Sequence, residues 1–216
     1  MHATHDTRLV RCLDALSMSF SILEQIDSEL YATCTRLPSD KALLPSVFWR
    51  AWSFVDTVHR IREVAQAVPG LNSKTPEMRK FLGSTEVAES FRHYIQHLRG
   101  ELSKIPGNTF PAWGSLVWVD PNDPHLTHMA LAGAQVGETQ YVGLVFDTVE
   151  KKWVSRVALS TGGLSFNFDR IALECMEFRN FILPWLVQKY APGINIKDEL
   201  PIISMRIQIG VVEGGA

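Results

Sequence analysis

The sequence lacks most of the features that mark specialised classes of protein. Only three of its 216 residues are cysteine, and Cys12, Cys34 and Cys175 are too widely spaced for a C-x-x-C zinc motif or a dense disulfide framework. We therefore expect reduced thiols and a cytoplasmic location. No apolar run approaches the ~20 residues that span a bilayer. No apolar stretch follows a basic N-terminus, so neither membrane insertion nor a signal peptide is predicted.

The sequence also lacks an excess of charge of one sign. Its formal net charge is −2, whereas many nucleic-acid-binding domains are strongly basic. Positive charge is nevertheless concentrated locally, because residues 57–105 contain eight Lys and Arg against five Asp and Glu. This segment is either a solvated helix face or a local anion-binding surface.

Hydrophobic residues recur every three or four positions in the first half of the chain, which predicts amphipathic helices. The first predicted helix carries a stripe from Leu9 to Leu30 and ends before Pro38. A second helix is predicted to start near Pro45, where proline is tolerated in a first turn. The remaining predicted helices cover about residues 76–83 and 84–104.

After Pro106 the hydrophobic pattern changes to that of β-strands. The predicted strands lie at about residues 113–119, 126–132, 141–146, 152–159, 164–168 and 203–209. Asp169 is predicted to cap a helix, which Pro184 is predicted to kink or break. The sequence thus predicts an α+β protein. An N-terminal helical bundle of about four helices (1–105) precedes a mainly antiparallel β-sheet with one packed helix (106–216), and the two segments can share one core.

The fourth predicted helix carries a short pattern of reactive side chains. Arg92, His93 and His97 stand in the order arginine, polar residue, three others, histidine. This pattern resembles the signature of the HEPN superfamily, small helical-bundle proteins that include many ribonucleases of toxin–antitoxin and antiviral systems. The resemblance covers about the first 105 residues. It implies an RNA-binding protein or metal-independent ribonuclease that needs no cofactor, works as a homodimer and serves as a toxin or in defence.

The chemistry of these three residues is suited to RNA cleavage. RNA carries its own nucleophile, the 2′-hydroxyl, and an imidazole titrates in the right range to take its proton. A guanidinium offers several donors to the charged phosphate. Our hypothesis assigns His97 as general base or acid, Arg92 as the phosphate-binding group and His93 as an assisting residue. On one helix Arg92 and His97 point about 140° apart, which favours a site composed across a two-fold dimer.

Simpler interpretations of the same residues remain open. Arg92 can pair with Glu89 or another neighbouring carboxylate. The two histidines, four positions apart, can be ordinary surface residues. They can also bind a metal ion with Glu86 or Glu101 as a third ligand.

A second cluster of potential ligands lies between two predicted strands. Asp120, Asp123, His125 and His128 offer oxygen and imidazole donors that can hold a divalent ion. The alternative is that the two aspartates form a turn and the histidines begin an edge strand. The sequence favours the turn.

A different class of function also fits the chain. The protein can be a non-catalytic dimeric interaction or regulatory protein, in which the bundle dimerises and the C-terminal sheet docks a protein partner. The apolar surface of the second helix and the many aromatic residues suit that interpretation.

Overall fold

Apolar periodicity in the first half of the chain produces helices that pack around one core. The computed structural model describes residues 7–103, 111–133, 145–147 and 151–190. The helices of the described residues are α1 (Thr7–Arg36), α2 (Leu44–Ala67), α3 (Pro76–Ser84), α4 (Val87–Gln96), α5 (Leu98–Ser103) and α6 (Phe168–Tyr190), and a 3-10 turn at Lys41–Leu43 precedes α2. The strands are β1 (Ser115–Val119), β2 (Thr127–Leu131), β3 (Phe146–Asp147), β4 (Lys152–Trp153), β5 (Val157–Thr161) and β6 (Leu164–Asn167). The α+β class is confirmed.

The first three helices agree with the sequence pattern. The stripe of α1 is buried, with Leu16 and Phe20 fully enclosed. Pro45 lies in the first turn of α2, and Pro76 begins α3 with Thr75 at its N-cap position. Proline suits these positions because the first amides of a helix have no intrahelical acceptor to lose.

The prediction of one continuous fourth helix over residues 84–104 is wrong. This segment is divided into α4 and α5, with His97 between them as the residue that ends α4. The apolar pattern continues past this point, but the core does not: Phe91 is fully buried whereas Leu102 is largely exposed. Gly100 further weakens a continuous helix. A helix needs a surface to pack against as well as the right period.

The main sheet is antiparallel, with strand order β2-β1-β5-β6. Its two central strands, β1 and β5, are buried along their whole length. One face of the sheet contributes to the helical core. A smaller cluster of Val117, Val119, Val145 and Ala158 is separate from that core. Strands β3 and β4 form a separate pair.

The strand predicted at 152–159 is divided in two. Between β4 and β5 the backbone amide of Arg156 donates to the carboxylate of Asp169 instead of to a neighbouring strand. The carbonyl of Arg156 still accepts from the amide of Val119 in β1, and the amides of Val154 and Ser155 donate to the carbonyl of Val145, so the chain passes here from the small sheet to the main one. Residues 141–144 and the strand predicted at 203–209 lie outside the described residues.

Helix α6 differs from the sequence prediction at two places. It begins at Phe168, so Asp169 is inside the helix and its carboxylate binds Arg156 instead of capping. It also continues unbroken through Pro184. Ile182 and Leu186, on either side of this proline, are fully buried, and their packing compensates for the backbone hydrogen bond that proline removes.

The tight entry to β1 depends on Gly114. Its φ is +86°, a conformation that residues with a side chain rarely adopt. A Cβ atom at this position would also collide with the carbonyl oxygen of Ser160 on the neighbouring strand β5. Glycine is therefore needed both for the backbone angle and for the close approach of the two strands.

Helices and sheet share one hydrophobic core. Phe166 of β6 packs against Phe54 of α2, Phe91 of α4 and Phe168 of α6, with ring centroids 5.1–5.9 Å apart. The ring of Phe81 in α3 stacks on the ring of Phe178 in α6, with their centroids 4.1 Å apart. The two segments divided at residue 105 thus contribute to a common interior, and the domain boundary itself stays a prediction.

The three cysteines are expected to resist thiol reagents in the native protein. All three lie in the described residues, are buried and form no disulfide. Burial raises the pKa of the Cys34 thiol to about 12 and also raises the pKa of Cys175, so reactive thiolate is scarce. Absorbance assays with a disulfide reagent at pH 8 should detect no fast-reacting thiol in native protein and three in denaturant. Rapid labelling of native protein at Cys34 or Cys175 would contradict this.

Candidate functional site

His93 and His97 form an exposed pair at the end of α4. Four residues apart, their rings lie with centroids 4.4 Å from each other and planes tilted by 47°. His97 ends the helix: its amide donates to the carbonyl of His93, and its own carbonyl accepts from the amides of Gly100 and Glu101 in α5. The turn between α4 and α5 therefore fixes the backbone of both histidines while their side chains face solvent.

A cleft of about 450 Å³ lies beside this pair. His93 lines it together with Glu89, Ser90, Tyr94 and Glu101, and with Gly162 and Leu164 of the β5–β6 hairpin. The hydroxyl of Tyr94 donates to the carbonyl of Ala112 at 2.9 Å, which anchors this wall of the cleft. The cleft thus offers imidazole, carboxylate and hydroxyl groups to a bound molecule.

Arg92 faces a different part of the protein. Its side chain is about one-third exposed, and its Nη1 donates to Asp56 Oδ1 of α2 at 2.6 Å. Asp56 also binds Arg60, whose Nη2 lies 2.7 Å from Oδ2. The open interpretation in which Arg92 pairs with a neighbouring carboxylate therefore fits, although the partner is Asp56 and not Glu89.

Arg92 lines a second and larger cavity of about 1010 Å³, formed by α1, α2 and α4. Apolar side chains at its edge are open to solvent, with Trp49 65% exposed and Met18 and Ile22 also exposed. Within one chain, the structure thus brings His93 and His97 together and places Arg92 in another cavity.

A buried arginine organises a polar cluster that sequence reasoning missed. Arg62 of α2 donates to Glu89 Oε1 at 2.8 Å, and to the Leu82 carbonyl and the Thr85 hydroxyl at 2.6 Å each. Arg62 belongs to the positively charged segment 57–105, but it is buried and does not contribute to a basic surface. The sequence has no signal for this, because the three acceptors are 20 to 27 residues away along the chain.

His59 and Glu63 complete that cluster. His59 Nδ1 lies 3.1 Å from Glu89 Oε2. In the described part of the chain, His59, Glu63 and Glu89 are the one set of three potential metal ligands whose donor atoms lie within 4.8 Å of one another. The i, i+4 spacing of His59 and Glu63 was visible in the sequence, but the approach of Glu89 from α4 was not.

The loop at residues 120–128 is organised as a turn. Asp120 Oδ1 accepts from the amides of Asn122 and Asp123, and its Oδ2 lies 2.9 Å from His128 Nε2. These bonds lower the pKa of the Asp120 carboxyl, with His128 the largest cause. Asp123 accepts from the amide of His125. The side chains of Asp120, Asp123 and His128 thus hold the turn and the start of β2 together, in agreement with the interpretation that the sequence favoured.

Comparison of the chain with protein-family models, with curated proteins and with solved structures finds no match. None of the helices in the described ranges combines the length and hydropathy that crossing a membrane requires.

Proposed function

We propose that this protein is a HEPN-like RNA-binding protein that cleaves RNA without a metal ion, with His97, His93 and Arg92 as its catalytic residues. The observation that carries the proposal is the exposed histidine pair, with 4.4 Å between ring centroids, in which His93 lines a cleft and His97 lies beside it. The resemblance of the Arg92–His97 pattern to the HEPN signature supports it. A role as a toxin or in defence follows from that resemblance alone.

The reaction uses the 2′-hydroxyl of RNA as nucleophile. One imidazole takes the hydroxyl proton while the 2′-oxygen forms a bond to phosphorus. The bond from phosphorus to the 5′-oxygen breaks, and this oxygen receives a proton from an imidazolium. The products are a 2′,3′-cyclic phosphate and a 5′-hydroxyl. His97 transfers a proton, and His93 is close enough to assist or orient it.

Arg92 enters this site from a second copy of the chain. Its pairing with Asp56 directs it away from the histidines of its own chain, so a two-fold dimer has to bring it to the His97 of the other copy. There the guanidinium stabilises the charge that develops on the phosphate. A homodimer is therefore part of the proposal.

The first test measures cleavage of single-stranded RNA in the presence of EDTA. The native protein should cut the RNA, and His97→Ala should be about 100-fold slower or worse, because proton transfer contributes about that much. His125→Ala is the matched control, since this exposed histidine lies in the 120–128 turn. Equal rates for His97→Ala and native protein would refute the assignment.

The second test mixes two inactive variants. If the site is shared between chains, equal amounts of Arg92→Ala and His97→Ala should recover about a quarter of native activity after subunit exchange. Half of the dimers are then mixed, and each mixed dimer has one intact site of two. If mixing restores nothing while the native protein is active, the shared site is wrong.

A non-catalytic dimeric interaction protein is the second candidate. The observation that favours it is the apolar edge of the large cavity, where Trp49, Met18 and Ile22 are exposed, together with the neutralisation of Arg92 by Asp56. Exposed apolar residues of this kind are common at docking surfaces. The C-terminal sheet would then bind a protein partner, and β2 is the more exposed of its two edge strands. In this case native protein leaves RNA intact, and Trp49→Glu lowers the oligomeric state in light scattering.

A further inference from the structure

His59 carries a buried ring nitrogen for which the described residues provide no hydrogen-bond partner. Its Nδ1 is inaccessible to solvent, although Glu89 Oε2 lies only 3.1 Å away. A protonated histidine paired with this carboxylate would direct its N–H at the oxygen. The geometry does not meet that condition, so the short contact is not explained as a hydrogen-bonded ion pair.

A separation of 3.1 Å between His59 Nδ1 and Glu89 Oε2 is typical of two atoms that bind the same metal ion. With metal–nitrogen and metal–oxygen bonds of about 2.0–2.2 Å, neighbouring ligand atoms in a tetrahedral or octahedral site lie about 2.9–3.5 Å apart. Glu63 is one helical turn after His59, and its donor oxygen is within 4.8 Å of the other two donor atoms. Because Glu63 is exposed, its side chain can rotate to shorten that distance.

The surroundings of Glu89 fit the role of a metal ligand. Arg62, which is buried, holds Glu89 Oε1 at 2.8 Å and leaves Oε2 directed at the His59 side. Hydrogen bonds of this kind orient ligand carboxylates in known metal sites. Two carboxylates and one guanidinium sum to a net charge of −1, which attracts a divalent cation.

We infer that His59, Glu63 and Glu89 form a binding site for one divalent transition-metal ion. One imidazole and two carboxylates suit Zn²⁺ or Mn²⁺, whereas Mg²⁺ and Ca²⁺ prefer oxygen ligands alone. The ion joins α2 to α4, the helix that carries Arg92 and His93. Its role is structural, and the inference does not depend on the proposed ribonuclease activity.

The experiment is calorimetric titration of the metal-free full chain with Zn²⁺, and separately with Mn²⁺. We expect one Zn²⁺ per chain, an increase in Tm on binding, and affinity reduced more than tenfold in Glu63→Gln and in His59→Gln. Glu63→Gln keeps the size of an exposed side chain, so folding is not in question for this variant.

The matched control addresses the other histidine pair. His97→Gln removes the exposed i, i+4 pair that can also bind zinc, and this variant should retain the native affinity and stoichiometry. Loss of binding in His97→Gln with retention in Glu63→Gln would overturn the assignment. So would the absence of Zn²⁺ binding by the native chain, or affinity unchanged in both Glu63→Gln and His59→Gln. None of these measurements involves RNA, so failure here and failure of the ribonuclease proposal are separate results.

Discussion

Phe166→Ala is expected to lower the free energy of unfolding by about 4 kcal/mol, in the range measured for buried phenylalanines. Phe166 is fully buried where strand β6 meets helices α2, α4 and α6, and its ring contacts three other phenylalanines. Truncation therefore removes apolar burial and leaves a cavity whose rigid aromatic walls, held by three separate helices, cannot easily close.

Urea denaturation followed by circular dichroism measures this change. Leu173→Ala is the matched control, because Leu173 lies on α6 but is 60% exposed, and its loss should change stability by less than about 0.5 kcal/mol. A loss for Phe166→Ala as small as that of the control would show that the sheet and the helices do not share one core.

Arg62→Leu is expected to cost about 3 kcal/mol. The substitution leaves the carboxylate of Glu89, the carbonyl of Leu82 and the hydroxyl of Thr85 without their common donor. Breaking a fully buried ion pair costs about 3–5 kcal/mol, and we take the lower end because Glu89 is partly exposed. Loss of packing by the long arginine side chain adds to the effect.

The neighbouring Arg60 provides the control for this second prediction. Arg60 is 70% exposed and pairs with Asp56 one turn away on the same helix, so Arg60→Leu should change stability by less than about 1 kcal/mol. Arg62→Lys should be intermediate, since an ammonium keeps the charge but cannot reach all three acceptors in the geometry of a guanidinium. Equal stability of the Arg60→Leu and Arg62→Leu proteins would contradict the central role of Arg62.

The sequence pattern was sufficient to predict most elements of the described fold. The stripe of α1 and the proline at the start of α2 are local signals, and they agree with the structure. The hydrophobic pattern did not predict where a helix ends or continues when tertiary packing determines this. The stripe of α4 continues beyond the core and the helix ends at Gln96, while Pro184 was predicted to interrupt a helix that its buried neighbours keep continuous.

The candidate site was less accessible to sequence reasoning. Proximity of His93 and His97 follows from helical spacing, and their exposure agrees with their place outside the apolar stripe. The pairing of Arg92 with Asp56 and the contact of Glu89 with His59 join α4 to α2. Such contacts depend on how two helices pack, and a single sequence carries no direct signal for that packing. The catalytic assignment of Arg92, His93 and His97 therefore stays a prediction.

The packing of α1 against α6 has a consequence for synthesis of the protein on the ribosome. The first helix lies against the last described one, and Glu24 of α1 binds Arg179 of α6, 155 residues later. While α1 and α2 can associate early, part of the apolar surface of α1 has no cover until α6 has left the exit tunnel. The nascent chain is thus expected to need protection from aggregation until α6 has emerged.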